Sequence, residues 1–497
     1  MPKRATAEET PASKRASLAS IRYKLPFVSQ SALAAICEYA NTHGLPNIHD
    51  PREVRKARDQ ASIGIMTPYG NLLQDHEFFL GDGESITHVE MINPWAQMYH
   101  MAATCQAFSE LLEWVLEQHG PCTPDRPLHV MMYTDEVTPG NQLAHKHARK
   151  VQALYYSLKE FQQFLGQEEL WVTGTILATS TVSTLQGGWS SVVARFAKEF
   201  FNHGNPGRDM SRAGINIRLF SGKRVHLFFT FGDFVSDELA MSTQVYESMG
   251  ANGLKCCKWC ANVFNSATTR AGARSDPWSV LHTSHEIHRF TLHTASTLRL
   301  IVDRLRTAQA AMGPGELKEL QTRLGFKFAP HSILFDEHLF PLMELAGHAI
   351  ADWMHVFFVG GIVQKELGLF MYEMRRTGLT YAAAHEYAQQ FRWPKAFRNQ
   401  TGVGCLSPEH AHTALESRSF KATASEARSV LPVLAFFVQN ALQRDNNWSN
   451  RQRDMAKCII HLFCIVQELE AAGQGLCNAD RMEMNLIAHM ELYVKWG

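Results

Sequence analysis

The spacing of apolar residues changes character along the chain. Between Arg22 and about Gly120 they recur at helical intervals. Ser29 or Ser31 can cap a helix over 32–41, and Asn93-Pro94 opens another carrying Trp95, Met98, Met101, Phe108, Leu111, Leu112 and Val115. Such stripes predict core packing, not a cofactor box. From 127 onward, short runs of β-branched and aromatic residues predict buried strands over 127–133, 169–179, 215–220 and 225–231. The last two read as a hairpin around Ser221-Gly222-Lys223. Between the strands lie helical patterns: one from the basic segment 145–150 through Val151, Leu154, Tyr155 and Leu158, one from Gly187-Gly188-Trp189 to Phe201, and one through Leu239, Val245 and Met249. This alternation predicts an α/β fold with helices packed on a mixed sheet.

Beyond Cys260 the pattern predicts no strand. Residues 261–292 are loop-like, helices are expected over 294–312 and 315–325, and 349–374 is a long helical pattern. After an irregular stretch from Pro394 to about Lys421, a helix from Ser425 through Leu442 and two more reach Trp496. Gly81-Asp82-Gly83-Glu84 lacks the Lys-Ser/Thr of a phosphate loop and the acidic ladder of a calcium loop, so it reads as a hairpin turn.

Composition narrows the function classes. The 497 residues are 45% hydrophobic and 19% charged, the balance of a folded, multidomain protein with a large core. Lys+Arg and Asp+Glu are both 48, which excludes the global basic field of a histone-like binder and leaves only local basic grooves. The ten cysteines are scattered except at 256–260, and no apolar leader segment precedes the first helix. Free thiols in a reducing compartment fit better than disulfides. The longest apolar runs, such as 430–438, fall short of the ~20 residues of a membrane span, so a soluble intracellular protein is expected. Residues 1–20 read as a disordered basic arm. Lys3-Arg4 and Lys14-Arg15 loosely match a bipartite nuclear-import signal, and a nuclear location is expected.

Acids stand at element boundaries: Asp135 after one strand, Asp233 or Asp237 after another, and Glu426 in the first turn of a late helix. Two-metal phosphodiester chemistry needs about three carboxylates from separate elements, holding cations ~3.5–4 Å apart. Each acid also has a plainer role, since turns and helix N-termini favour carboxylates. Cys257-x-x-Cys260 has the spacing of a zinc half-site, with Cys256 as an alternative register. His282, His285, His288 or His293, or the distant His348 or His355, could complete it.

The segments YTDEVTPGNQL (133–143), SDELA (236–240), KCCKWC (255–260), HTS (282–284), LHT (292–294), DWMH (352–355) and FKATASEARSV (420–430) occur in that order. Together they resemble the RNase H-like DDE/D transposases of the CACTA supergroup, in the KDZ- and Plavaka-like branch of eukaryotic elements. The resemblance implies an RNase H-like mixed sheet with flanking helices, interrupted by a large, mainly helical, zinc-containing insertion. It implies 21–125 as a mainly helical N-terminal region, 126–250 as the first part of the core, 251–420 as the insertion, and 421–497 as helices completing the core. It further implies catalytic Asp135, Asp237 and Glu426 binding Mg²⁺ or Mn²⁺. Zinc is expected at the CxxC site, with Cys257, Cys260, His282 and His293 as metal ligands, and Asp352 and His355 form a recurring D-x-x-H motif. Lys146, Arg149 and Lys150 would contact phosphates of double-stranded DNA, both transposon ends and target. The expected activity is strand cleavage and strand transfer, compatible with a homo-oligomer. The alternative is a catalytically inactive, domesticated copy acting as a zinc-stabilised DNA-binding or interaction module.

Overall fold

The computed structural model describes residues 30–44, 52, 64–137, 150–265, 277–393, 402–444 and 448–496. The expected arm over 1–20, and Lys146 and Arg149, lie outside them. The chain divides into two units, Met1–Ile65 and Met66–Gly497. Helix α1 (Gln30–His43) belongs to the first unit; everything below belongs to the second.

β1 (Leu73–Phe79) and β2 (Ile86–Ile92) form an antiparallel hairpin. Its turn is held by Asp82, whose Oδ1 accepts from the backbone N–H groups of Glu84 and Ser85. Asn93 then caps α2 (Pro94–Thr104) by accepting from the N–H groups of Trp95 and Ala96. An extended Cys105 separates α2 from α3 (Gln106–His119). Between 73 and 119 the chain is thus a hairpin, turning at the expected 81–84, followed by two helices.

β3 (Leu128–Val137), β4 (Val151–Leu158) and β5 (Val172–Ala178) form an antiparallel meander. The expected helix over 151–158 is in fact β4. Its apolar residues fall at helical intervals because both faces of this inner strand are covered, so polar alternation disappears. α4 (Gly188–Phe200) buries Trp189, Val192, Val193, Phe196 and Phe200 along one stripe. The Phe196 ring lies where a side chain at Gly174 of β5 would stand, and Phe200 packs edge-on against Tyr156 of β4 with ring centroids 5.0 Å apart.

β6 (Ile215–Arg218) and β7 (Arg224–Leu227) make the expected hairpin, but as a separate two-stranded sheet. The main sheet resumes with β8 (Phe229–Ser236), parallel to β3. After α5 (Ala295–Ala311) and α6 (Pro314–Leu324) comes β9 (Ala349–Ala351), parallel to β8, in a stretch expected to be helical. The result is a mixed five-stranded sheet of order β9-β8-β3-β4-β5.

The chain continues as α7 (Trp353–Phe358), α8 (Ile362–Met374), α9 (Tyr381–Gln390), α10 (Pro408–Ser417), α11 (Ala424–Arg444), α12 (Asn450–Ala472) and α13 (Ala479–Trp496). These helices enclose a hydrophobic cluster of their own, distinct from the cluster around the sheet. The helices after 421 therefore pack with α7–α10. Among the described residues, one stretch, Trp353–Thr377, is long and apolar enough on average to cross a membrane. It is two helices broken at Gly360-Gly361, and it contributes Phe358, Val363, Leu367 and Phe370 to the second cluster.

Candidate metal centre

Three parallel strands finish side by side. Thr134 of β3 pairs with Ser236 of β8, and Ser236 pairs with Ala351 of β9. The next residue on each strand is an aspartate: Asp135, Asp237 and Asp352. Below them the hydroxyls of Thr134 and Ser236 lie 3.1 Å apart, and the Asp352 N–H donates to the Ser236 carbonyl at 2.8 Å. Ladder pairing on rigid strands fixes where each carboxylate starts.

Two of the acids also begin helices. Asp237 accepts from the Ala240 N–H, and Asp352 Oδ1 accepts from the Met354 N–H at 2.8 Å, so both chains turn away from the sheet immediately. That turn brings His355, one helical turn after Asp352, back over the strand ends. Its Nδ1 lies 2.9 Å from Asp352 Oδ2. Asp135, Asp237 and His355 each present one ligand atom, all within 4.8 Å of one another. With Nδ1 engaged by Asp352, Nε2 is left to bind, the usual orientation of a metal-ligating histidine.

Electrostatics concentrate there. Burial raises the Asp135 pKa, opposed by His355 and reinforced by Asp237 and Asp352. The hydrogen bond to Asp352 raises His355 above the ordinary 6.5, against burial and with help from the Asp237 and Asp135 charges. Burial works against Asp352 as an anion, yet hydrogen bonds from His355 and the Met354 N–H hold its pKa low. Burial, then the charges of all three aspartates, push up the Tyr133 phenol, which stacks on Tyr155 beside the acids. A concentration of negative charge with little compensating cation is what a divalent ion neutralises.

Other expected residues are placed differently. Asp233, the rival second acid, is buried at the β8 bulge, its Oδ2 2.8 Å from Lys159 Nζ and its Oδ1 3.4 Å from His348 Nδ1. Glu426 is not part of the cluster. Its Oε2 accepts from the Thr423 N–H at 2.8 Å and the Thr423 hydroxyl at 2.9 Å, closing a capping box at the start of α11. α11 does pack beside α7, but through Arg428, whose guanidinium lies over the Trp353 ring. The third strand-end carboxylate is Asp352. Lys150 opens β4 with its ammonium 2.5 Å from Glu136 Oε1.

At the thiol pair, a hydrogen bond from Cys260 lowers Cys257 to about 6, against burial and with help from nearby N–H groups and Lys258, while Cys260 is pushed up. Among the described residues, no third His, Cys, Asp or Glu ligand atom joins the two sulfurs within 4.8 Å. His282 is exposed. His293 is buried, its Nδ1 3.1 Å from the Thr297 hydroxyl and its Nε2 without a hydrogen-bond partner, and burial then the Lys255 charge lower it to about 4.

Two features escaped sequence reasoning. Lys258, between the thiols, buries its ammonium against Glu238 and the Ser242 hydroxyl, tying the CxxC segment to the turn that begins at Asp237. The other is the role of Asp352 as a strand-end acid. The signal was present three times: an apolar run, a small residue, then Asp, in VMMYTD, FVSD and AIAD. No known protein-family model matches the chain, and no curated protein matches it significantly.

Proposed function

We propose that the chain is a divalent-metal-dependent nuclease and strand transferase acting on double-stranded DNA in the nucleus, with an RNase H-like core, of the CACTA-type transposase group it resembles. The observation that carries this reading is the alignment of Asp135, Asp237 and Asp352 at three adjacent strand ends, with His355 folded back over them. An antiparallel meander with two parallel strands added beside its first strand is the order such a core requires, and it supports the fold assignment. Bound cations would supply Lewis-acid stabilisation of the phosphodiester and acidify water. The chain's own part is to hold Asp135 and Asp237 as anions on rigid strands. Asp352 keeps the His355 proton on Nδ1, and the Tyr133–Tyr155 stack walls one side of the site. Two carboxylates and an imidazole form a softer set than the all-oxygen shell Mg²⁺ prefers, so Mn²⁺ is the favoured ion. Lys146, Arg149 and Lys150 follow Asp135 in sequence and are proposed as phosphate contacts. Zinc is proposed at Cys257 and Cys260, whose side chains are hydrogen-bonded to each other.

The test is nicking of supercoiled plasmid DNA with Mn²⁺. The wild-type chain should nick it, and Asp135→Asn and Asp237→Asn, which keep shape but remove charge, should each abolish nicking while the fold persists. A wild-type protein that binds DNA and Mn²⁺ but never nicks would instead favour the inactive, binding-only descendant.

A further inference from the structure

We propose that the helical region contains a second metal site, structural and suited to zinc, formed by Glu366, Cys458 and His489. It is separate from the strand-end acids and does not depend on the phosphodiester reading. Three helices, α8, α12 and α13, each deliver one of these side chains into the interior, with residue exposures of 4%, 0% and 7%. His489 Nε2 lies 2.8 Å from Glu366 Oε2, and Cys458 Sγ lies 3.8 Å from the same oxygen. One ligand atom from each residue falls within 4.8 Å of the others.

The surroundings make this cluster costly without a cation. Val363, Leu367 and Phe370 flank Glu366, and Met455, Ile459 and Leu462 flank Cys458, all within the apolar cluster. Among the described residues, His489 is the only ion-pair partner of Glu366. A thiol is a weak donor to a carboxylate, so Cys458 does little to offset that burial. A divalent cation reverses each of these terms. The Cys458 thiol proton and the proton shared between His489 Nε2 and Glu366 Oε2 leave to solvent, sulfur binds as thiolate, and the imidazole binds through Nε2 with its remaining proton on Nδ1. Mixed N, O and S donors select zinc over Mg²⁺ or Ca²⁺, and Glu366 Oε2, Cys458 Sγ and His489 Nε2 supply three of the four donors of a tetrahedral site. Tyr493 stacks on the His489 ring, with centroids 6.3 Å apart.

The experiment uses the full chain carrying Cys257→Ser and Cys260→Ser, which removes the other thiol pair, together with Asp135→Asn and Asp237→Asn, which removes the strand-end cation centre. After zinc loading and desalting it should retain about one zinc per chain, and adding Cys458→Ser should reduce this to under about a tenth. Because Cys458→Ser could fail to fold, the parent variant is also loaded with Co²⁺. It should develop a thiolate-to-cobalt charge-transfer band, which only a cysteine-ligated site produces. Unchanged zinc content in Cys458→Ser, or no zinc and no charge-transfer band in the folded parent, would overturn the proposal and leave a buried His489–Glu366 pair.

Discussion

Asp352 works through two atoms at once. Its Oδ1 caps α7, while its Oδ2 engages His355 Nδ1 and thereby decides which imidazole nitrogen carries the proton. Asp352→Asn can still cap through its amide oxygen, but the NH₂ group then faces Nδ1 as a donor. Nδ1 must accept, the proton moves to Nε2, and the metal loses its ligand lone pair. Mn²⁺ affinity should fall by ~10–100-fold with little change in helix content. The pH dependence follows from the raised His355 pKa. In the metal-free protein the protonated form is favoured by folding, so that stabilisation is present below 6.5 and is lost as pH rises through the higher folded value. Cations compete with the same proton. Mn²⁺ affinity should therefore rise with pH through and above 6.5 and then level off. A titration monitored by EPR of free Mn²⁺ would expose the error if affinity were flat over that range or fell.

Among the elements, β8 sets the geometry because its register with β3 shifts between Phe231 and Phe234. The extra residue turns Asp233 to Lys159 and leaves Asp237 level with Asp135. A side chain at Gly232 would meet the His129 Cβ at 2.9 Å and the Val130 carbonyl oxygen at 3.2 Å, so the bulge requires glycine by close approach. Gly232→Ala should destabilise the protein by ~1–3 kcal/mol in a denaturant titration and weaken Mn²⁺ binding as the strand end moves. Unchanged stability and binding would show that the bulge does not position Asp237. The same elements mark where sequence reading succeeded and failed. β3 and the first half of β8 were legible from their β-branched and aromatic runs. β4 was not, because Val151, Leu154, Tyr155 and Leu158 fall at helical intervals in a strand covered on both faces. β9 is three residues long, too short to show any period, and it forms through pairing with β8.

For the whole molecule, the sequence revealed which acids end strands but not which acids meet. Asp135 and Asp237 announced themselves beside long apolar runs. The third carboxylate carries the same local pattern in AIAD, but its place beside the other two depended on a pairing between β8 and β9, elements more than a hundred residues apart. Glu426 sits in a motif that looked catalytic, yet its oxygen is committed to the N-terminus of α11 in the cluster of helices beyond β9. The strand-end group of Asp135, Asp237 and His355 is proposed to hold its cation without Glu426. Mn²⁺ dissociation constants for the wild type, Asp237→Asn and Glu426→Gln test it most directly. Asp237→Asn should weaken binding by at least ~10-fold, about 1.4 kcal/mol, while Glu426→Gln should bind as the wild type does. Equal weakening in both variants, or loss in Glu426→Gln alone, would contradict it.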